Sequence, residues 1–591
     1  MSRRAARPWL TAAALYASAV LFFHRDLWAG PGPRVLGGGF VGGVFAWEIA
    51  WFKSCLASWT YPLFTRQLMF PSGTALIVES PWTALLGAAA AAGLGVYRAI
   101  NALFLFNYLA SGLAAFALAY EWTEDAPAAT LAGYFYMFSH YAVVEHLMGH
   151  LHESALYFLP LVFLGLLRVE RRRPGGWALF SLGALGTTLA SSYLTLATLG
   201  VGVPVFLAAR WASREGRALD GDGWRRLAAV AAAVAALGAL CYLPAAVLGP
   251  RLVGGHGFYS LSVLSFFDPP AWHPWALVQR WRLHTAGLVD VSRLSGAADH
   301  TDFAFRAEPE NLVGFFPLSL LALLAAGAWA RAWKGCKTWL AVAAAGLLLS
   351  LGPKLQWDYQ GGRLWLPYAA LMRLPWLSQL RAPARMIALT WVSASVLAAV
   401  SFQALTRRRA AAWRWIAAVL LAGAFSTELA LWVLGRESVY LEEGAAYQAL
   451  RADPAPGAVL ELPLAISVSG EVSVNAERYM LQQPLHGRPL VVGRPARYTW
   501  DSLSFCEDTP YLFELTHPAA LQAWLDQPRA RRDAALRQGL SAMRKAGIRY
   551  VLLHTGDRFF GEDTIARYEA ALQPLGAPVA ASGGVRAFRL P

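Results

Sequence analysis

Residues 154–210 read SALYFLPLVFLGLLRVERRRPGGWALFSLGALGTTLASSYLTLATLGVGVPVFLAAR. Three apolar runs, 154–169, 176–192 and 194–209, follow one another closely, and the charge gathers in the loop that carries Arg168, Arg171, Arg172 and Arg173. A surface helix of a water-soluble protein keeps a polar face. These runs have none, so they predict helices that lipid solvates, joined by short charged loops.

The same pattern extends in both directions. Further apolar runs lie at 8–23, 100–120, 126–143, 226–248, 312–332, 338–352, 386–405 and 415–434, which makes eleven. Composition agrees: the 591 residues are 57% hydrophobic and 15% charged, with a mean hydropathy of +0.39. That mix excludes a string of soluble domains, a disordered chain, a coiled coil and a collagen. At 8–23, Tyr16-Ala17-Ser18-Ala19 looks like a signal-peptide cleavage site, but the apolar run continues to Phe23 and reads as an uncleaved anchor.

The net charge of +14 does not call for nucleic acid. Nineteen basic residues gather at the N-terminus and in alternate loops: Arg3, Arg4 and Arg7; the 168–173 arginines; Arg210, Arg214, Arg217, Arg225 and Arg226; Arg331, Lys334 and Lys337; Arg407, Arg408, Arg409 and Arg414. The positive-inside rule makes that side cytoplasmic. Only the loop with Glu121, Glu124 and Asp125 dissents, and acids weigh little in the rule. A cytoplasmic N-terminus then leaves 24–99, 249–311, 353–385 and the tail from 435 outside, with the apolar stretch 81–95 re-entrant or juxtamembrane. The tail is polar, with β-like runs at 458–464, 489–492, 548–554 and 585–590 and a basic helical stretch at 528–546, so 435–591 is expected to be an extracytoplasmic α/β domain. Cys55, Cys241, Cys336 and Cys506 show no zinc-like spacing; a disulfide between Cys55 and Cys506 stays open.

Certain segments carry a resemblance: WEIAWF at 47–52, PLFTRQLMFPSGTALIVESP at 62–81, NALFLFNYLASGLAAFAL at 101–118, LAGYFYMFSHYAVVEHLMGHLHESALYFLPL at 131–161, QLRAPARM at 379–386, VLELPL at 459–464, HGRPLVVG at 486–493 and IRYVLLH at 548–554. In this order they resemble bacterial YfhO-type membrane proteins, which are related to the GT-C superfamily of glycosyltransferases. The resemblance implies an α-helical polytopic bundle in the bacterial inner membrane, spanning 1–434, with long outer loops. It also implies transfer of a sugar from a polyprenyl-phosphate carrier at the outer leaflet, by a carboxylate in the first outer loop, often beside a divalent metal such as Mg or Mn. The sequence departs from the pattern at Val41, where related sequences have an aspartate.

Such a transfer needs a carboxylate to take a proton from the acceptor hydroxyl and cations to receive the departing phosphate. In the first loop Asp26 and Glu48 are the catalytic candidates, with Glu79 before Pro81 reading as an N-terminal helix charge. Glu145, His146 and His150 are candidates for a metal, and His150 and His152, with Glu153 beside them, for a phosphate. Arg373, Arg381 and Arg385 run against the positive-inside trend, and guanidinium matches phosphate bidentately; Arg381 and Arg385 are the phosphate candidates. Asp268, His273, Glu308 and Glu310 read as structural, as does Glu428 near the outer end of the last run. Trp51 and Tyr61 suit sugar stacking. The leading reading is a glycosyltransferase acting on membrane lipid-linked sugar and a glycan, lipid or protein acceptor. The alternatives are a non-catalytic protein that binds lipid-linked glycan or helps assemble an envelope polymer, and a transporter, for which no internal repeat speaks.

Overall fold

The computed structural model describes residues 3–27, 34–37, 41–76, 78–214, 219–248, 259–267, 313–357, 362, 364–374, 380, 382–431, 434, 438–441, 444–466, 472–473, 475–495, 498, 500–556 and 560–591. A helix stands on each of the eleven apolar runs: Arg3–Phe23, Val96–Thr123, Ala126–Met137, Phe158–Glu170, Gly176–Ala190, Ser192–Ser213, Gly221–Leu248, Leu318–Trp329, Lys337–Ser350, Pro383–Thr406 and Ala411–Glu428. Among the described residues, Val96–Thr123, Ser192–Ser213, Gly221–Tyr242 and Pro383–Thr406 are long and apolar enough to cross a membrane. Helix Leu318–Trp329 has 12 residues. It rises only about 18 Å, short of a hydrocarbon core of about 30 Å.

Side chains that cap helix starts explain where several helices begin. Ser80 accepts from the N–H of Thr83 ahead of Pro81, Asp125 from that of Ala128 ahead of Pro127, and Ser139 from that of Ala142. Gly95, at φ +78°, is the single residue between helices Pro81–Leu94 and Val96–Thr123. The bundle core centres on helix Pro383–Thr406, whose Met386, Leu389, Trp391 and Val392 are buried. Tyr16 ties the first helix in by donating to the carbonyl of Thr130 at 2.7 Å.

The acidic loop that dissented by charge is explained by its partners. Glu121 lies 3.1 Å from Arg168, 3.2 Å from Arg171 and 2.8 Å from Arg173, and Asp125 pairs with Arg414. The loops at 121–125, 168–173 and 407–414 therefore share one side. Glu428 accepts from the N–H of Ser319 at 2.9 Å, at the start of a neighbouring helix.

In the tail, Ala458–Leu462 runs parallel to Ile548–His554. That strand pairs antiparallel with Val585–Arg589, which pairs with Ala580–Ser582. The basic stretch forms helix Arg529–Ala546. The expected run at 489–492 is not a strand: Leu490 makes an isolated bridge to Val459, and its N–H and C=O bond Gln67 and Phe70 of the first long loop. The tail is also not closed on itself. Its core holds Leu460, Leu462, Met480 and Val551 together with Val44, Trp47, Leu68, Met69 and Leu76 of the first loop. Strands Arg34–Leu36 and Ser438–Tyr440 pair across the same junction. Cys55 and Cys506 are both free thiols, so no disulfide joins them.

Candidate functional site

Two glycines clasp the first long loop to the 145–153 loop. Gly37 and Gly149 both have positive φ, +62° and +78°. A Cβ on Gly149 would stand 2.2 Å from the carbonyl oxygen of Gly37, and one on Gly37 would stand 2.5 Å from Gly149 Cα. The N–H of Val41 donates to the carbonyl of Met148 at 3.3 Å. Only residues without a Cβ let two backbones meet so closely. This contact fixes the first long loop against the 145–153 loop.

Helix His140–Leu147 ends just before Gly149, so the i, i+4 relation of His146 and His150 is broken. His150 instead folds back: its N–H donates to the carbonyl of Glu145 at 2.8 Å, and its Nδ1 lies 2.6 Å from Glu145 Oε2. Glu153 is fully buried and collects donors from three helices and turns. Tyr141 donates at 3.0 Å, Ser191 at 2.6 Å and Arg385 Nη1 at 3.2 Å. Arg385 Nε lies 3.8 Å from Glu145 Oε1, and its guanidinium sits 4.5 Å from the Tyr193 ring centroid. One arginine thus stands between two carboxylates. Burial raises the carboxyls of Glu145 and Glu153 above the ordinary range, and Arg385 opposes the rise.

His152 extends the network outward. Its Nε2 is 3.5 Å from Glu153 and 3.7 Å from Glu79, which is 37% exposed. Burial lowers the His152 imidazole pKa, with Arg385 and His150 adding to the effect. Phe45 of the first-loop helix Gly42–Ser58 packs against this ring at 5.1 Å. The tail closes the third side: a Cβ on Gly43 would stand 1.8 Å from the carbonyl oxygen of Glu477, whose carboxylate pairs with Arg494.

The remaining candidates are dispersed. Glu48 is buried, and burial pushes its carboxyl well above the usual value, with Glu79 adding to the rise. Asp26 is half-buried on the turn Arg25–Leu27. Arg373 is exposed; Arg381, Asp268, His273, Glu308 and Glu310 lie outside the described residues. Trp51 stacks on Trp47 at 6.0 Å and donates to the carbonyl of Pro62, while Tyr61 is 70% exposed. Val41 packs between the first-loop and tail cores. Tyr141, Ser191 and Tyr193 were not candidates in the sequence. Ser191 and Tyr193 were signalled only by the polar SSY at 191–193, where two apolar runs meet, and Tyr141 by nothing in the apolar run that holds it.

The residues expected to hold a divalent metal do not fit one. The His146 ring lies among Phe104, Tyr108 and His24, at centroid distances of 4.5, 5.3 and 5.2 Å, and neither of its nitrogens has a hydrogen-bond partner. Among the described residues no group of three or more His, Cys, Asp or Glu is placed to bind a metal ion.

No protein-family model and no curated protein matches the chain. Solved structures do. The chain is similar over 100% of its length to the arabinofuranosyltransferase AftD from Mycobacteria, with a TM-score of 0.57 and 14% identity. It spans 40% of that protein's length. An oligosaccharyltransferase, AglB from Archaeoglobus fulgidus, solved with an inhibitory peptide and a dolichol-phosphate, matches over 92% of this chain and 69% of its own, at a TM-score of 0.49 and 12% identity. ArnT from Cupriavidus metallidurans bound to undecaprenyl phosphate matches over 99% of this chain and 98% of its own, at a TM-score of 0.41 and 14% identity. The likeness to AftD shows the fold: the chain shares the architecture of that arabinofuranosyltransferase over the part they have in common.

Proposed function

We propose that the protein is a multi-pass glycosyltransferase of the bacterial inner membrane, using a polyprenyl-phosphate sugar at the outer leaflet and an envelope glycan, lipid or protein as acceptor. The order of its segments supports YfhO-type kinship. The eleven helices then make up the membrane domain, the arginine-rich side faces the cytoplasm, and the tail lies outside. The observation that carries the reading is the position of Glu79. It is a half-exposed carboxylate of the first loop whose oxygen lies 3.7 Å from His152, itself 3.5 Å from Glu153 in the network around Arg385. Glu79 takes the acceptor hydroxyl proton as that oxygen attacks the anomeric carbon, and the bond from that carbon to the carrier phosphate breaks. His152 and Arg385 act behind Glu79 by holding its surroundings fixed.

A general base contributes about 100- to 10,000-fold. Glu79→Gln is expected to lower transfer by that factor in membranes supplied with labelled polyprenyl-phosphate sugars, while Glu48→Gln leaves it within a few-fold and Asp26→Asn serves as the parallel test. Full activity in Glu79→Gln would refute its role as base. Val41, standing where the resemblance calls for aspartate, favours one second reading: a protein that binds lipid-linked glycan without transferring it. That reading prevails if the unaltered protein binds carrier lipids and transfers from none.

A further inference from the structure

A groove of about 360 Å³ opens between helices Leu318–Trp329, Pro383–Thr406 and Ala411–Glu428. Leu323, Phe402, Leu405, Ile416, Leu420 and Leu421 make its walls apolar. Thr406 and Trp413 also line it; Thr406 directly precedes Arg407, Arg408 and Arg409, and Trp413 follows them four residues on. These three arginines are exposed, and among the described residues none lies within ion-pair distance of a carboxylate. Their one ring contact is Arg409 over Trp413 at 5.7 Å. Several basic residues of the neighbouring loops do have such partners, whereas among the described residues Arg172, Arg331 and Lys334 do not. Arg168, Arg171 and Arg173 share Glu121, Arg210 pairs with Glu170, and Arg414 with Asp125. Among the described residues, then, no carboxylate neutralises 407–409, and an anion from outside could do so. Ala410 offers no side-chain cap to the N–H groups that begin helix Ala411–Glu428, which adds a weak preference for an anion on the same side.

We propose that this groove and the arginine triad form one site for an anionic glycerophospholipid of the cytoplasmic leaflet. The acyl chain fills the apolar groove, and the headgroup phosphate lies over Arg407, Arg408 and Arg409. The shape and the charge each select half of such a molecule: a zwitterionic lipid satisfies only the groove, and a soluble phosphate only the arginines. The placement in the cytoplasmic leaflet rests on the proposed topology; the binding itself does not.

The full-length protein is reconstituted in nanodiscs holding equal amounts of phosphatidylglycerol and phosphatidylcholine, and retained lipid is read by native mass spectrometry. Phosphatidylglycerol is expected to be retained in preference. At about fivefold per basic residue near an anionic surface, the triple variant R407Q/R408Q/R409Q lowers its retention about 100-fold and leaves phosphatidylcholine unchanged. Ala417→Trp, on the groove wall, lowers retention of both. Equal retention of the two lipids, or a triple variant that holds phosphatidylglycerol as the unaltered protein does, overturns the site. So does a dimer that Ala417→Trp dissociates, because a second copy would then fill the groove. Both leaflets of the nanodisc carry both lipids, so sidedness is read separately. Arg409→Cys is expected to react with an impermeant maleimide only in permeabilised cells. Labelling in intact cells refutes the cytoplasmic placement and leaves the lipid result standing.

Discussion

At the scale of single residues, the clearest constraint is the pair Gly37 and Gly149. Two glycines with positive φ meet backbone to backbone, and a methyl group on Gly149 has no room, with an oxygen 2.2 Å away. Gly175 shares the φ of +78° but has nothing within 4 Å of its Cβ position, which makes it the matched control. Gly175→Ala bears only the left-handed backbone, about 1–2 kcal/mol. Gly149→Ala adds the clash and is expected to cost roughly 2 kcal/mol more by thermal unfolding in detergent. Equal losses in the two variants would remove the clasp from the account. The residues at this site were only partly legible. Glu145, His150, His152, Glu153 and Arg385 stood out as ionisable groups in an apolar chain, and they do converge. His146 shared their stretch, but the helix ends at Leu147 and turns its ring toward aromatics. The sequence favoured Glu48 over Glu79 as a catalytic carboxylate and could not show that Glu48 is buried, since the tail helix Asn475–His486 that packs over the first-loop helix lies more than 400 residues away.

At the scale of elements, the parallel strands Ala458–Leu462 and Ile548–His554 carry a buried charge that they must keep neutralised. Glu461 is 4% exposed. His554 Nε2 lies 2.6 Å from its Oε2 and His486 Nε2 3.7 Å from its Oε1. Burial alone would raise this carboxyl; the two histidines outweigh it and hold it below its ordinary value. A carboxyl lowered in the folded state binds fewer protons there than in the unfolded chain. Its contribution is therefore complete above the ordinary glutamate value of about 4.3 and lost as pH falls below it. Glu461→Gln is expected to cost about 3 kcal/mol at pH 7, as breaking a buried pair does, and the difference from the unaltered protein should shrink below pH 4. A difference independent of pH would mean that packing, not charge, accounts for the loss. Elements of this kind were legible where local pattern suffices: the strands at 458, 548 and 585 and the basic helix at 529–546 follow alternation and helix-forming composition. The run at 489–492 has the same β-like residues, but its partners are Gln67 and Phe70 of another region, and no local pattern encodes that.

At the scale of the whole molecule, the tail and the first long loop are one folding unit set on the bundle. Apolar runs made the bundle legible because lipid demands them, whereas the joint core of tail and loop rests on contacts between residues near 45–75 and 446–590 that carry no periodic signature. Trp47 is 1% exposed, and it shares that core with Val44, Leu68, Met69, Leu76, Leu460 and Met480. Truncating it to Ala is expected to cost about 3–5 kcal/mol, the range for a large aromatic leaving a cavity. Ending the chain after Leu434 removes the opposite wall altogether. Those first-loop side chains then face water, and Arg34–Leu36 loses its strand partner Ser438–Tyr440. The truncated protein is expected to insert in the membrane but to be cut by protease between 41 and 76 in spheroplasts, where the full chain resists. The helices should stay protected, since their core around Trp391 does not include the tail. The Glu79 region should lose its fixed geometry at the same time, so transfer should fall with the tail. A truncated chain whose first loop resists protease as the full chain does would show that loop and bundle suffice, and the tail would then be an independent domain.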